Sequence, residues 1–162
     1  MFALFFLAQT KSPKYVITMD ADYSHNPQDI PKLLSNIREA DSAIVIGSRY
    51  VKGGKIEGWP FTRKIISRTA NFMAKFSLGL KLQDCTSGFR CYSTRFLKAT
   101  ISDLHSHTYE IQIETIRQAS LRNFIVKETP VFFVNRKIGK SKLTGTEIRS
   151  FISYTLKAIS RS

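Results

Sequence analysis

A chain of 162 residues with 43% hydrophobic content is long enough for one domain with a real core and has the composition of an ordinary globular protein. Its formal charge of +13 and pI near 10.0 call for a polyanionic partner: nucleic acid, an anionic membrane surface or a phosphorylated substrate. The cysteines, Cys85 and Cys91, lack metal-type spacing and read as reduced thiols rather than a disulfide.

Met1–Ala8 is apolar, but it has no charged leader and is too short to span a bilayer, so it reads as the end of a packed helix. Tyr15–Met19 is a short β-branched run of the kind that fills an interior strand of an α/β sheet, and it stops at Asp20. Ligands bind where such strands end. Asp20 and Asp22 are two residues apart, so in an extended segment both carboxylates point to one side and can share a hard cation. Asn26 offers an N-cap and Pro27 suits a first helical position, which predicts a helix over Gln28–Ala40 with Ile30, Leu33, Leu34 and Ile37 on its buried side. Ser42–Ile46 is the next buried strand, ending at Gly47-Ser48-Arg49 and followed by a Gly53-Gly54 loop.

After Trp59-Pro60 a long helix is expected over Phe61–Leu80, with Ile65, Thr69, Phe72, Met73, Phe76 and Leu80 as its apolar side. Arg63, Ser67 and Asn71 recur every four residues opposite them and line one face. Asp84–Arg90 packs a carboxylate, hydroxyls, a glycine and an arginine into seven positions before a short strand to Ser93, which is the content of a site loop. Tyr109–Leu121 reads as a helix buried through Ile111, Ile113, Ile116 and Ala119. Gln112 and Glu114 near its start face either a ligand or the first turn. His105 and His107 read as exposed loop histidines, not a metal site. Strands are expected over Phe124–Lys127 and Val131–Val134, then a basic, hydroxyl-rich loop, Asn135–Leu143. The Thr144 to Glu147 spacing is a capping box for a last helix that is amphipathic and basic, suited to a membrane surface or a partner helix.

Taken together, DADYSHNPQDIP, GSRYVKGG, WPFTRKIISRTAN, DCTSGFRCY, YEIQIE and FVNRKIGKSKL resemble, in order and spacing, the dolichol-phosphate (polyprenyl-phosphate) mannosyltransferases of glycosyltransferase family 2, from Tyr15 to about Leu143. The resemblance implies an α/β, Rossmann-like GT-A glycosyltransferase fold over residues 1–143, after which the capping box and periodicity place a separate C-terminal amphipathic basic helix over 144–162. It implies mannose transfer from GDP-mannose to dolichyl or polyprenyl phosphate, with inversion and with Mg²⁺ or Mn²⁺. Asp20 and Asp22 then hold the metal on the donor diphosphate. Ser24 stands where family members carry a glutamine that adds a metal contact. Arg49, Arg63 and Ser67 match positions that grip the acceptor phosphate; Arg136 and Lys142 match positions that close over the diphosphates. Asp22, Arg49 and Arg63 are the residues on which the transfer step itself is expected to depend. Asp84, Ser87 and Arg90 match a loop that supports the floor of the site.

Family members begin with Pro-x-Tyr-Asn-Glu-like and Asp-Gly-Ser-like motifs that hold the nucleotide, and neither occurs here, so the chain resembles an N-terminally truncated form. The expected setting is peripheral, on the cytoplasmic face of a membrane (endoplasmic reticulum in a eukaryote, plasma membrane in a prokaryote). Partners are an anionic membrane surface and a membrane-anchoring subunit. Related polyprenyl-phosphate glucosyl- and N-acetylglucosaminyltransferases share much of the pattern. The competing class is a non-catalytic basic module binding anionic lipid; no nucleic-acid-binding motif is visible.

Overall fold

The computed structural model describes residues 13–106, 110–135 and Ser153. The first strand, β1 (Tyr15–Thr18), leads through a short 3-10 turn (Pro27–Asp29) into α1 (Ile30–Glu39). Asn26 caps that turn, its side-chain oxygen accepting from the Gln28 backbone N–H at 3.0 Å, with proline next in line as the spacing predicts. Then come β2 (Ile44–Ser48), β3 (Lys55–Glu57), α2 (Phe61–Leu78), β4 (Arg90–Ser93), α3 (Thr94–Thr100), α4 (Glu110–Leu121), β5 (Val126–Pro130) and β6 (Phe132–Val134).

Four strands form a mixed sheet in the order β1-β4-β2-β5. β4 runs antiparallel to both neighbours, with Ile17 and Val45 each opposite Cys91, while β2 and β5 are parallel with Ile44 opposite Val126. Successive side chains of β2 leave opposite faces. Ile44 and Ile46 join Tyr92, Phe96, Leu97, Ile113 and Ile116 under α3 and α4, whereas Val45 joins Leu33 and Ile37 of α1, with Phe89, Cys91 and Val131. The result is a three-layer α/β arrangement in which β4 and β2 are the central, wholly buried strands. A separate parallel pair, β3 and β6, is joined to the turn that follows β1 through a bridge between His25 and Phe133.

Four expectations need correction. β2 runs over Ile44–Ser48, two residues later than Ser42–Ile46, so Gly47 and Ser48 belong to the strand. β1 pairs only with β4 among the described residues and is half-buried along most of its length, so it is an edge and not an interior strand there. β5 starts at Val126, two residues later than the run Phe124–Lys127 predicts. The larger correction is α2, whose faces are reversed. Its expected core stripe is outside: Ile65, Phe72 and Phe76 are 49%, 69% and 78% exposed. Its buried residues are Asn71 and Ala74, because the polar face has hydrogen-bonding partners in three loops, while Leu80, beyond the helix, does pack on the core. Gly79, in the left-handed conformation at φ 61°, ends the helix. The basic loop with Arg136 and Lys142, the final helix over 144–162, the segment Met1–Ala8 and His107 lie outside the described residues. No helix among the described residues is long and apolar enough to cross a membrane.

Candidate functional site

The site is built where β1 and β2 end. Thr18 ties the end of β1 to the 84–90 loop by donating to the Gly88 carbonyl at 2.8 Å. Asp20 then stands exposed and Asp22 half-buried. Ser24 donates twice to Asp22 Oδ1, from its backbone N–H at 3.1 Å and from its hydroxyl, so the residue in the glutamine position orients the carboxylate. The turn includes Tyr23 at φ 61°, an uncommon conformation for a residue with a side chain.

His25, which the motif reading passed over, holds this turn from beneath. Its Nδ1 accepts the Asp20 backbone N–H at 3.3 Å, and its ring stacks on Phe89 at 5.0 Å and meets Phe133 edge-on at 5.1 Å. Burial pushes its pKa below the ordinary value against the opposing pull of Asp20, so the ring is neutral at pH 7 with its proton on Nε2. The same ring feels the charges of Asp22, Arg49 and Asp84, and so stands between the carboxylate pair and the arginine cluster.

Among the described residues no group of three His, Cys, Asp or Glu side chains converges on one point, and the donors this turn carries are the carboxylates of Asp20 and Asp22. That sparse, hard-oxygen donor set fits Mg²⁺ or Mn²⁺, which complete their shells with water and substrate phosphate.

Arg49 leaves β2 directly into a buried ion pair with Asp84. Its Nε and Nη2 meet the two carboxylate oxygens at 2.7 Å each, its backbone N–H adds a third bond at 3.0 Å, and Nη2 also reaches Thr86 Oγ1 at 2.8 Å. Burial of Asp84 opposes its ionisation, but the charge and hydrogen bonds of Arg49 outweigh that and hold the carboxyl below its usual range. The same pairing raises the Arg49 pKa against the effect of burial. The guanidinium lies among Tyr50, Trp59 and Phe133, with centroids 5.2–5.6 Å away. Most of its hydrogen-bonding capacity is thus spent inside the protein. Gly54 is needed in this turn, since a Cβ there would come within 2.7–2.8 Å of backbone at Ser48 and Arg49.

Arg63 sits 4.2 Å over the same Trp59 ring and donates to Asn135 Oδ1 at 2.9 Å. One indole therefore carries both predicted acceptor arginines. Ser67, one turn along α2, accepts from the Tyr50 hydroxyl at 2.8 Å, which leaves its own proton for another acceptor. Asn71 completes the row: its Oδ1 accepts from the Cys85 N–H at 2.6 Å and its Nδ2 donates to Thr86 at 3.1 Å.

Arg90 is fully buried, and among the described residues no carboxylate is bonded to it. It donates to the carbonyls of Cys85, Ser87 and Gln112 and to Thr115 Oγ1, which fixes the 85–90 loop to α4. Glu128 of β5 supports the same loop by accepting from the N–H groups of Gln83 and Asp84. Of the two α4 candidates, Glu114 turns away and accepts from the backbone of His105 and Ser106, while Gln112 turns toward Gly88 and Asp20. Tyr50, Trp59 and Asn135 join the cluster through the fold, whereas Asn71 had a sequence signal in its spacing from Arg63 and Ser67, and Thr86 in the hydroxyls of the 84–90 loop.

A mixed sheet layered by helices, with a carboxylate pair at one strand end and an arginine at the next, is the arrangement of a GT-A glycosyltransferase. The chain belongs to glycosyl transferase family 2, which it matches over residues 4–101. It is 39% identical over 135 residues to the polyprenol monophosphomannose synthase of Mycolicibacterium smegmatis, covering 83% of this chain and 51% of that one. It is 44% identical over 132 residues to the undecaprenyl-phosphate mannosyltransferase of Micrococcus luteus, covering 80% and 53%. The chain thus spans about half the length of these curated relatives. Crystal structures of glucosyl-3-phosphoglycerate synthase from Mycobacterium tuberculosis, in complex with uridine diphosphate and with phosphoglyceric acid, share the fold. Their TM-scores are 0.66 and 0.68 at 18% identity, over 98% of this chain and 54% of that one.

Proposed function

We propose that this chain carries the diphosphate and acceptor side of a polyprenyl-phosphate mannosyltransferase, one that takes mannose from GDP-mannose to a dolichyl or polyprenyl phosphate with inversion. The observation that carries this reading is Trp59 between Arg49 and Arg63, with Ser67 one turn along α2, joined through Phe133 to the His25 turn that bears Asp20 and Asp22. Its sugar and lipid follow the names of the two relatives.

In the proposed reaction an acceptor phosphate oxygen forms a bond to the anomeric carbon as the bond from that carbon to the diphosphate breaks, the electron pair leaving with GDP. A phosphate monoester is largely anionic near neutral pH, its second pKa being about 6, so no residue need take a proton from it. Glu114, engaged with loop N–H groups, fits that absence of a base. A bound Mg²⁺ or Mn²⁺ supplies charge stabilisation to the leaving diphosphate. Asp20 and Asp22 hold it, Ser24 keeping Asp22 aimed. Arg63 and the Ser67 proton face the acceptor. Arg49 acts mainly by shaping this side of the site through Asp84, with Nη1 left to the ligand. Arg136 and Lys142 close over the diphosphates in this reading.

The reversed faces of α2 support a lipid acceptor. The helix presents Phe61, Ile65, Phe72 and Phe76 outward, with Arg68 exposed and Lys64 and Lys75 half-buried at its flanks, and contains no acidic residue. An apolar strip edged with cations matches the interface of an anionic membrane, and it lies on the helix that brings Arg63 and Ser67 to the site.

The test is radiolabelled mannose transfer to polyprenyl phosphate by the purified chain, and by an extended form in which the chain is joined to the part of the Micrococcus luteus relative that it does not match. Transfer is expected only with Mg²⁺ or Mn²⁺, because positioning is the main contribution of a site without a base. Preference for a glucose or N-acetylglucosamine donor, or undiminished transfer in chelator, overturns the reading.

A further inference from the structure

α4 brings into the site one polar side chain that neither the metal nor the acceptor role uses. Gln112 is only 6% exposed, and its Oε1 has no hydrogen-bond partner among the described residues. A buried amide oxygen left unpaired costs stability that a well-packed apolar residue would avoid. Its backbone is held firmly, because the Gln112 carbonyl accepts from Arg90 Nη1 at 2.7 Å and from Thr115 Oγ1 at 3.1 Å. The side chain is therefore presented by a fixed platform to a fixed place.

That place is defined by Gly88. A Cβ added there would meet Asp20 Oδ1 at 3.6 Å, Gln112 Nε2 at 3.7 Å and Asp20 Oδ2 at 3.9 Å, with no backbone in the way. A glycine thus leaves methyl-sized room beside the Asp20 carboxylate and Gln112 Nε2, so the donor end of the carboxamide is the end nearest that room, while Oε1 is the end without a partner. A carboxylate accepts, whereas a carboxamide both donates and accepts and carries no charge. Such a pair suits a neutral hydroxyl, and a second phosphate would want a cation in place of the amide.

We infer that Gln112 reads a hydroxyl of the sugar being transferred, in the room over Gly88. The inference rests on the donor reading of the Asp20 and Asp22 site and adds the residue that recognises the sugar itself. A site built to bond a hydroxyl rejects sugars lacking it at that position, because the amide is then left unpaired in a buried setting.

The experiment is saturation-transfer NMR on the whole chain with Mg²⁺, comparing GDP-mannose with GDP in wild type, Gln112→Leu and Gly88→Ala. Both variants are expected to weaken GDP-mannose roughly three- to tenfold, the worth of one to two hydrogen-bonding contacts, and to leave GDP unchanged. Gly88→Ala tests that room without touching the amide, and its methyl fits at ordinary contact distances. Gln112→Leu should melt at the wild-type temperature or above, since it removes an unpaired buried acceptor. Equal GDP-mannose binding in all three proteins, or a lower melting temperature in Gln112→Leu, makes Gln112 a structural residue and overturns the inference. Parallel loss of GDP reassigns the amide to the cation or diphosphate and overturns it too. Failure of wild type to bind either nucleotide overturns the donor reading and this inference with it.

Discussion

Asp84→Asn removes one charge from the best-formed ion pair in the protein while keeping its shape. The carboxylate accepts three hydrogen bonds from Arg49, and the two side chains are 0% and 8% exposed. Water cannot replace the lost charge there, and one donor of the asparagine amide must face a guanidinium donor. Breaking a buried pair on one side costs about 3–5 kcal/mol. With a urea slope of about 2 kcal/mol per molar, the unfolding midpoint should fall by roughly 1.5–2.5 M. Asp41→Asn is the control: its pair with Arg95 is 3.3 Å long with side chains 86% and 59% exposed, and should be worth under about 1 kcal/mol. Acid titration gives a second check. Because the folded pKa of Asp84 is lowered, its contribution is present above the ordinary carboxyl value of 3.8 and is lost as pH falls through the folded value, so Asp84→Asn should unfold with a flatter pH dependence below about pH 4. A midpoint shift in Asp84→Asn no larger than that of Asp41→Asn would refute the argument.

Asp22→Ala should abolish the Mn²⁺-dependent part of GDP-mannose binding measured by calorimetry, and equal, metal-independent binding in mutant and wild type would return the Asp20 and Asp22 turn to a purely structural role. In the extended form, Arg63→Ala and Ser67→Ala should raise KM for the lipid phosphate about tenfold or more while donor affinity stays within twofold, as expected for a lost charge-assisted contact. Phe72→Glu with Phe76→Glu should cut co-sedimentation with anionic liposomes by at least about tenfold without lowering the melting temperature, since burying each phenyl ring is worth roughly 1.5–3 kcal/mol; unchanged sedimentation would leave the membrane attraction to other basic segments. Cys85 and Cys91, both raised to about 12 by burial, should resist thiol reagents at pH 8 in the native state and react at once in denaturant. Their buried thiols favour the folded state below pH 9, and that contribution declines as pH rises from 9 toward 12.

The sequence alone determined what depends on neighbours along the chain. The Asn26-Pro27 cap, the strand that ends before Asp20, the buried stripe of α1 and the loop from Asp84 to Arg90 all rest on local spacing and capping chemistry, and all occur, with the capped turn 3-10, the α-helix beginning at Ile30 and the strand ending at Thr18. The order of the family's motifs was legible for the same reason. Periodicity could also separate the two faces of α2, but it could not say which one is inside. Only the tertiary structure decided that, by bringing Tyr50, Thr86 and Asn135 against Ser67, Asn71 and Arg63 so that the polar row is satisfied inside and the phenylalanines are left outside. Arg49 carried the same ambiguity: nothing local indicates that Asp84, 35 residues on, takes most of its donors. The room beside Asp20 and Gln112 over Gly88 was hidden as well, because it joins three segments that only sheet pairing and the buried Arg90 bring together. A hydrogen bond or ion pair is decided by a few ångströms in space, and a sequence gives that distance only within a turn or two of helix or strand.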